Sequence, residues 1–167
     1  TLIDVPGIEG KEEDFKDTIK TALQKAHIVF YINGHNKKPD EATAKKIKNY
    51  LGDWVKVYSV YNVRGGVSNY DEEEERETLL TEGVKKSESL IKTEFKRILG
   101  DVYKGNVTVQ GMLAMCAKAS FSKKRDDLIK DQQKFLKYFD GSPEKILQFS
   151  QFQTIVNLVD EKSANFK

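Results

Sequence analysis

Ile28-Val29-Phe30-Tyr31-Ile32, flanked by His27 and Asn33, is an unbroken apolar run of β-branched and aromatic residues. Without polar alternation, it reads as a strand buried on both faces of a parallel sheet. Further apolar runs lie on either side, at Thr1–Val5, Val55–Asn62 and Asn106–Ala117. Helical periodicity fills the intervals over Asp14–Ala26, Asp40–Leu51 and from about Arg76 to Leu99. Each interval is long enough for the crossover of roughly a dozen residues that joins parallel strands. Asp14 and Asp40 read as N-caps, accepting from otherwise unpaired first-turn amides. The alternation makes this an α/β chain with a parallel sheet. Beyond the last strand the pattern turns helical, over Arg125–Phe139 and, after the break Asp140-Gly141-Ser142-Pro143, over Pro143–Asn165. Leu128, Phe135, Leu136 and Phe139 recur at helical spacing, as do Ile146, Phe149, Phe152, Ile155 and Val156, and such stripes are core.

The 167 residues fit one domain able to bury about two-thirds of its unfolded surface. Lys plus Arg total 28 and Asp plus Glu 26, a balance that gives no argument for nucleic acid as the main partner. The one charge run, Asp71-Glu72-Glu73-Glu74-Glu75, precedes a helical pattern and reads as a solvated, dipole-matched helix start. The single cysteine, Cys116, excludes an internal disulfide and reads as a small buried residue. No signal peptide or long apolar stretch occurs, which predicts a cytoplasmic protein. Two histidines and one cysteine without clustered spacing argue against a structural zinc site; His27 and His35 read as core or surface residues.

Ligands of parallel α/β sheets sit beyond the carboxyl ends of the strands, so the chemistry is sought where each strand ends. The first exit is Asp4-Val5-Pro6-Gly7, a carboxylate followed by a turn whose glycine can bring its amide close to a phosphate. The second contains Asn36-Lys37, but Asp40 falls one position too late for N-K-x-D and serves as a helix cap. The third, Val57 to Gly66, carries Asn62 and Arg64; the fourth is Met115-Cys116-Ala117-Lys118-Ala119-Ser120.

In order and spacing these exits resemble the P-loop GTPases of the translation-factor-related class, which includes Era-type and dynamin-like members. Asp4 to Gly7 match D-x-x-G, Asn62 matches the asparagine of N-K-x-D, and Cys116-Ala117-Lys118 match S-A-K with cysteine for serine. The resemblance covers the chain to about Ser120. It implies a three-layer α/β/α G domain whose N-terminal strands are missing and which carries extra C-terminal helices. Residues 1–167 would be the C-terminal part of that single domain, with an insertion over 121–142 before the last helix. It further implies GTP or GDP with Mg2+ as cofactors. Asp4 would hold the metal through water and Gly7 would offer its amide to the terminal phosphate. Ile8 stands where Ras-type enzymes carry the glutamine that orients the attacking water, and an apolar side chain cannot do so. Glu9 is then the polar candidate in the catalytic segment Gly7-Ile8-Glu9, or the missing group comes from a partner subunit. Asn62 would brace the base-reading loops, Arg64 would stack on the base, and the Ala117 amide would contact its carbonyl. Val63 and Gly65 replace the lysine and aspartate of N-K-x-D, which leaves the choice between guanine and adenine open.

The loop G-x-x-x-x-G-K-[ST] is absent from the sequence. The resemblance therefore implies a parent GTPase with its phosphate loop upstream, and a fragment inactive alone. It also implies a gap beside the Ile28–Ile32 strand, filled by a rearranged sheet or by a homo-oligomeric contact. Membrane or RNA partners would be met only through parts outside this chain. The other readings are a non-catalytic interaction module that keeps the nucleotide fold, and a P-loop ATPase fragment.

Overall fold

Three strands form: β1 (Ile28–Asn33), β2 (Lys56–Asn62) and β3 (Tyr103–Val109), hydrogen-bonded in the order β1-β2-β3. They belong to a computed structural model that describes residues 2–5, 16–33, 41–52 and 55–164. β1 and β2 run parallel, Ile28 opposite Lys56 through Asn33 opposite Tyr61. β3 runs alongside β2 in the same sense. Ser59 meets Tyr103 and Asn106 midway, and at the carboxyl end the Val63 amide donates to the Val109 carbonyl at 2.8 Å. The α/β class and the parallel sheet read from the sequence are thus present. The chain forms two compact units, Thr1–Tyr61 with Ser87–Asn106, and Asn62–Lys86 with Val107–Lys167.

The first unit holds β1, nearly all of β2, the start of β3 and the helices α1 (Lys16–Lys25), α2 (Glu41–Tyr50) and most of α3 (Glu82–Leu99). Strands taken in sequence order and joined by right-handed crossovers must carry their helices on one face. Arg97 of α3 accordingly pairs with Glu41 of α2 at 2.9 Å, and Lys48 of α2 donates to the Ile98 carbonyl at 3.2 Å. On that face Val29 and Tyr31 pack against Ile19, Leu23 and Ile47, and Phe95 lies between Tyr31 and Tyr103. Ser59, fully buried between β2 and β3, has one hydroxyl proton and gives it to Asn106 Oδ1 at 2.7 Å, so the Tyr103 hydroxyl donates to Ser59 at 2.8 Å.

β1 departs from the doubly buried strand expected of it. Its Val29 and Tyr31 side packs on helices, but on the other face Phe30 and Tyr58 are half-buried and Ile32 is 63% exposed. The cause is position: among the described residues β1 is the edge of the sheet. Leu2–Val5 is not a strand either, and Leu2 is 90% and Ile3 58% exposed. The described sheet starts at β1, and residues 2–5 do not pair with its open edge.

The second unit holds α4 (Gly111–Lys118), α5 (Asp126–Tyr138), α6 (Pro143–Phe149) and α7 (Gln153–Ala164). Its core gathers Tyr70, Leu113, Cys116, Phe135, Phe139 and Ile146. The stretch 121–142 therefore supplies core through Phe135 and Phe139 of α5 and its end. α5 stops at Asp140-Gly141, where Gly141 takes the left-handed φ of 71° and its amide caps the Leu136 carbonyl at 2.7 Å. α6 starts with Ser142 accepting from the Lys145 amide and Pro143 in the first turn.

Three sequence expectations shift here. The run Asn106–Ala117 is not one strand: it ends as β3 at Val109 and continues as α4. The acidic run 71–75 does not start a helix, because bends and a single 3-10 turn, Glu74–Arg76, come before α3 begins at Glu82. Pro143–Asn165 breaks at Ser150–Phe152, where Gln151 adopts φ 60° and the buried Ser150 hydroxyl turns back to the Leu147 carbonyl at 2.6 Å. No helix among the described residues is long and apolar enough to cross a membrane.

Candidate functional site

Three backbone exits carry the candidate chemistry. Asp4 lies outside any helix or strand in the first unit and is exposed. Gly7, Ile8 and Glu9 lie outside the described residues, as do the caps Asp14 and Asp40 and the residues His35, Asn36 and Lys37. No three His, Cys, Asp or Glu side chains converge among the described residues, so no all-protein metal cage forms there. Asp4 offers one carboxylate; magnesium on a nucleotide takes one or two from protein, with phosphates and water supplying the rest.

In the second unit the residues after β2 form a tied loop. The Asn62 side-chain oxygen accepts from the Gly111 amide at 2.9 Å, joining the end of β2 to the first turn of α4. Glycine at 111 permits that approach, since a Cβ there would stand 3.3 Å from the same oxygen. Val63 is buried on the ladder, and Arg64 projects into solvent. The Gly65 carbonyl then accepts from the Gln110 side chain at 2.9 Å, and the Gly66 amide donates to Asn69 Oδ1 at 2.9 Å. The loop Asn62–Gly66 is thus fastened at both ends, with the Arg64 guanidinium between the fastenings.

Cys116, Ala117 and Lys118 do not leave a strand. They form the last turn of α4, where an amide is turned to the carbonyl four residues back. Cys116 is buried in the core, and burial, followed by the charge of Asp131, pushes its thiol up to about 11. Held as the neutral thiol near neutral pH, Cys116 packs there as a small apolar residue. Lys118 is exposed, about 10 Å along the helix from Gly111 at 1.5 Å per residue. The structure therefore brings together Asn62, Arg64 and the start of α4, and sets Cys116, Ala117 and Lys118 at its far end. Gln132 closes that end, donating to the Cys116 and Ala119 carbonyls at 2.6 and 3.0 Å.

Gln110 escaped the sequence reading. Hydropathy gave no signal for it, since Asn106 and Thr108 are polar residues of the same run 106–117. An open concavity elsewhere in this unit holds none of the expected residues. Three of its charged side chains are engaged, Arg76 over the Tyr138 ring at 5.1 Å and Lys145 on Asp140 at 2.6 Å.

Comparison with protein-family models, with curated proteins and with solved structures finds no match.

Proposed function

We propose that this chain is part of a GTP-binding and GTP-hydrolysing domain of the P-loop GTPase superfamily, dynamin-like or Era-like, which takes a guanine nucleotide with Mg2+. The observation that carries the reading is Asn62: at the exit of the middle strand of a parallel sheet, it ties its loop to the chain leaving the next strand. A loop so held lies where open α/β sheets bind their ligands. By the D-x-x-G resemblance, Asp4 would add a carboxylate for the metal and Gly7 an amide for the phosphate. Magnesium, when bound, would neutralise charge on the phosphates. The exposed Arg64 would lay its planar guanidinium on a base, and the loop Asn62–Gly66 holds no carboxylate to read the guanine N–H groups. The exposed Ile32 on edge strand β1 also suits the reading, since a further strand alongside would bury it.

A specific observation favours the second reading, an interaction module that keeps the fold without turnover. Cys116-Ala117-Lys118 sit in a helix, away from Asn62. Titration calorimetry of the full-length protein with GTP, GDP and ATP in magnesium, followed by a turnover assay, separates the readings. Guanine-nucleotide binding with hydrolysis supports the proposal; binding without hydrolysis supports the module. Preference for ATP supports an ATPase, and absence of all binding overturns nucleotide function altogether.

A further inference from the structure

We infer that Gln110 is a positioning residue for the base-reading loop, a clip that holds the Asn62–Gly66 segment, and with it Arg64, against the start of α4. The inference rests on the nucleotide reading above and deepens it by naming what sets the loop. Gln110 is 1% exposed and stands at the N-cap of α4. Glutamine is not among the usual cap residues, which are shorter and carry an oxygen alone or a compact amide. A cap requires only an acceptor, and the Gln110 oxygen meets that need by accepting from the Leu113 amide at 2.8 Å. The other half of the side chain serves no cap: its Nε2 reaches out of the helix to the Gly65 carbonyl at 2.9 Å.

The residue is itself immobilised. Its backbone amide donates to the Ser150 carbonyl at 2.9 Å, so α6's end fixes the point from which the side chain extends. The Tyr70 hydroxyl also bonds the Gln110 side chain; burial pushes that hydroxyl up, and the bond acts in the opposite sense. Tyr70 belongs to the core and contacts Phe149 edge-on at 5.7 Å. Gln110 and Gly111 thus grip the loop at Gly65 and Asn62 respectively, and the residue between those grips that faces solvent is Arg64. An arginine recognises a flat base only if its backbone is held, because its long stem otherwise spreads over many rotamers.

The test uses the full-length protein at about pH 9 and above, because burial raises a glutamate at 110 toward about 8–9 and only its ionised form withdraws the donor from the Gly65 carbonyl. Gln110→Glu keeps the acceptor for the Leu113 amide and turns an acceptor toward the Gly65 carbonyl, releasing the loop while preserving the cap. Gln110→Met removes both bonds and, being uncharged, stands in if the glutamate variant fails to fold. Amide hydrogen exchange over 63–69 is compared with exchange over 113–118, alongside dissociation of a fluorescent GDP analogue. In Gln110→Glu, loop exchange and GDP dissociation are both expected to rise about tenfold, with α4 changed by less than about twofold. Loop exchange at the wild-type rate overturns the inference. So does a faster loop with unchanged GDP dissociation. If the wild-type protein binds no GDP, the nucleotide reading fails instead, a result distinguishable from either of these.

Discussion

Asn62→Ala removes the acceptor that joins the exit of β2 to α4. The bond it breaks is a neutral one of 2.9 Å, and the amide left behind belongs to Gly111, half-buried in the first turn of the helix. A neutral hydrogen bond contributes about 1 kcal/mol net, and an amide stranded away from water costs about 1–3 kcal/mol. Because Gly111 is only half-buried, water recovers part of that loss, and the expected destabilisation is about 1–2 kcal/mol. Asn62→Asp keeps the oxygen in place and adds negative charge at a helix N-terminus, a favourable site for it by about 0.3–1 kcal/mol. The stability order is therefore Asp at or above Asn, with Ala below both. Urea unfolding of the two variants measures it, and the aspartate variant should retain any nucleotide affinity that the alanine variant loses. The reasoning is refuted if Asn62→Ala is as stable as wild type, or if Asn62→Asp falls as far as Asn62→Ala.

Phe135→Ala empties a fully buried position in the core of the second unit and should cost about 3–5 kcal/mol in urea unfolding; a loss below about 1 kcal/mol would show that Phe135 is not packed there. Gly52→Ala places a Cβ 2.8 Å from the Gln24 carbonyl oxygen, a backbone atom that cannot swing away, and should lower stability by about 1–3 kcal/mol; an unchanged unfolding midpoint contradicts the close approach. The Arg97 hydrogen bond, then that of Lys45, hold the exposed Glu41 carboxyl at about 2 against an ordinary 4.5. A depressed carboxyl stabilises the fold fully above its unfolded value, and the contribution is lost as pH falls from about 4.5 through about 2. An NMR titration should find Glu41 at that low value, and Arg97→Ala should return it toward the ordinary one.

The parts of the fold that sequence pattern revealed are those where one periodicity runs unbroken. β1, β2, α1, α2 and α5 lie within a few residues of their expected bounds, because each is a single apolar stripe ended by polar residues. The misreadings occur where a boundary is made by tertiary bonds. Asn106–Ala117 is apolar on both sides of Gln110, so nothing in hydropathy marks the change from strand to helix. The buried Gln110 makes it, by capping α4 and clipping Gly65. The break after Phe149 contains neither glycine nor proline; the Ser150 bonds, one of them from the Gln110 amide, impose it. The loop-bracing role of Asn62 came from the family resemblance and not from its periodicity; in the structure its side-chain oxygen accepts from the Gly111 amide. The Cys116–Lys118 match was misleading about position because a three-residue motif reads the same at a helix end as at a strand exit.

The central claim is that the loops leaving this sheet meet a guanine nucleotide. Hydrogen exchange of the full-length protein, with and without GTP and magnesium, tests it at the residues named. The account predicts slower exchange over 62–66 in the presence of GTP, with ATP less effective and α5 unaffected. Identical exchange over 62–66 under all three conditions would contradict it.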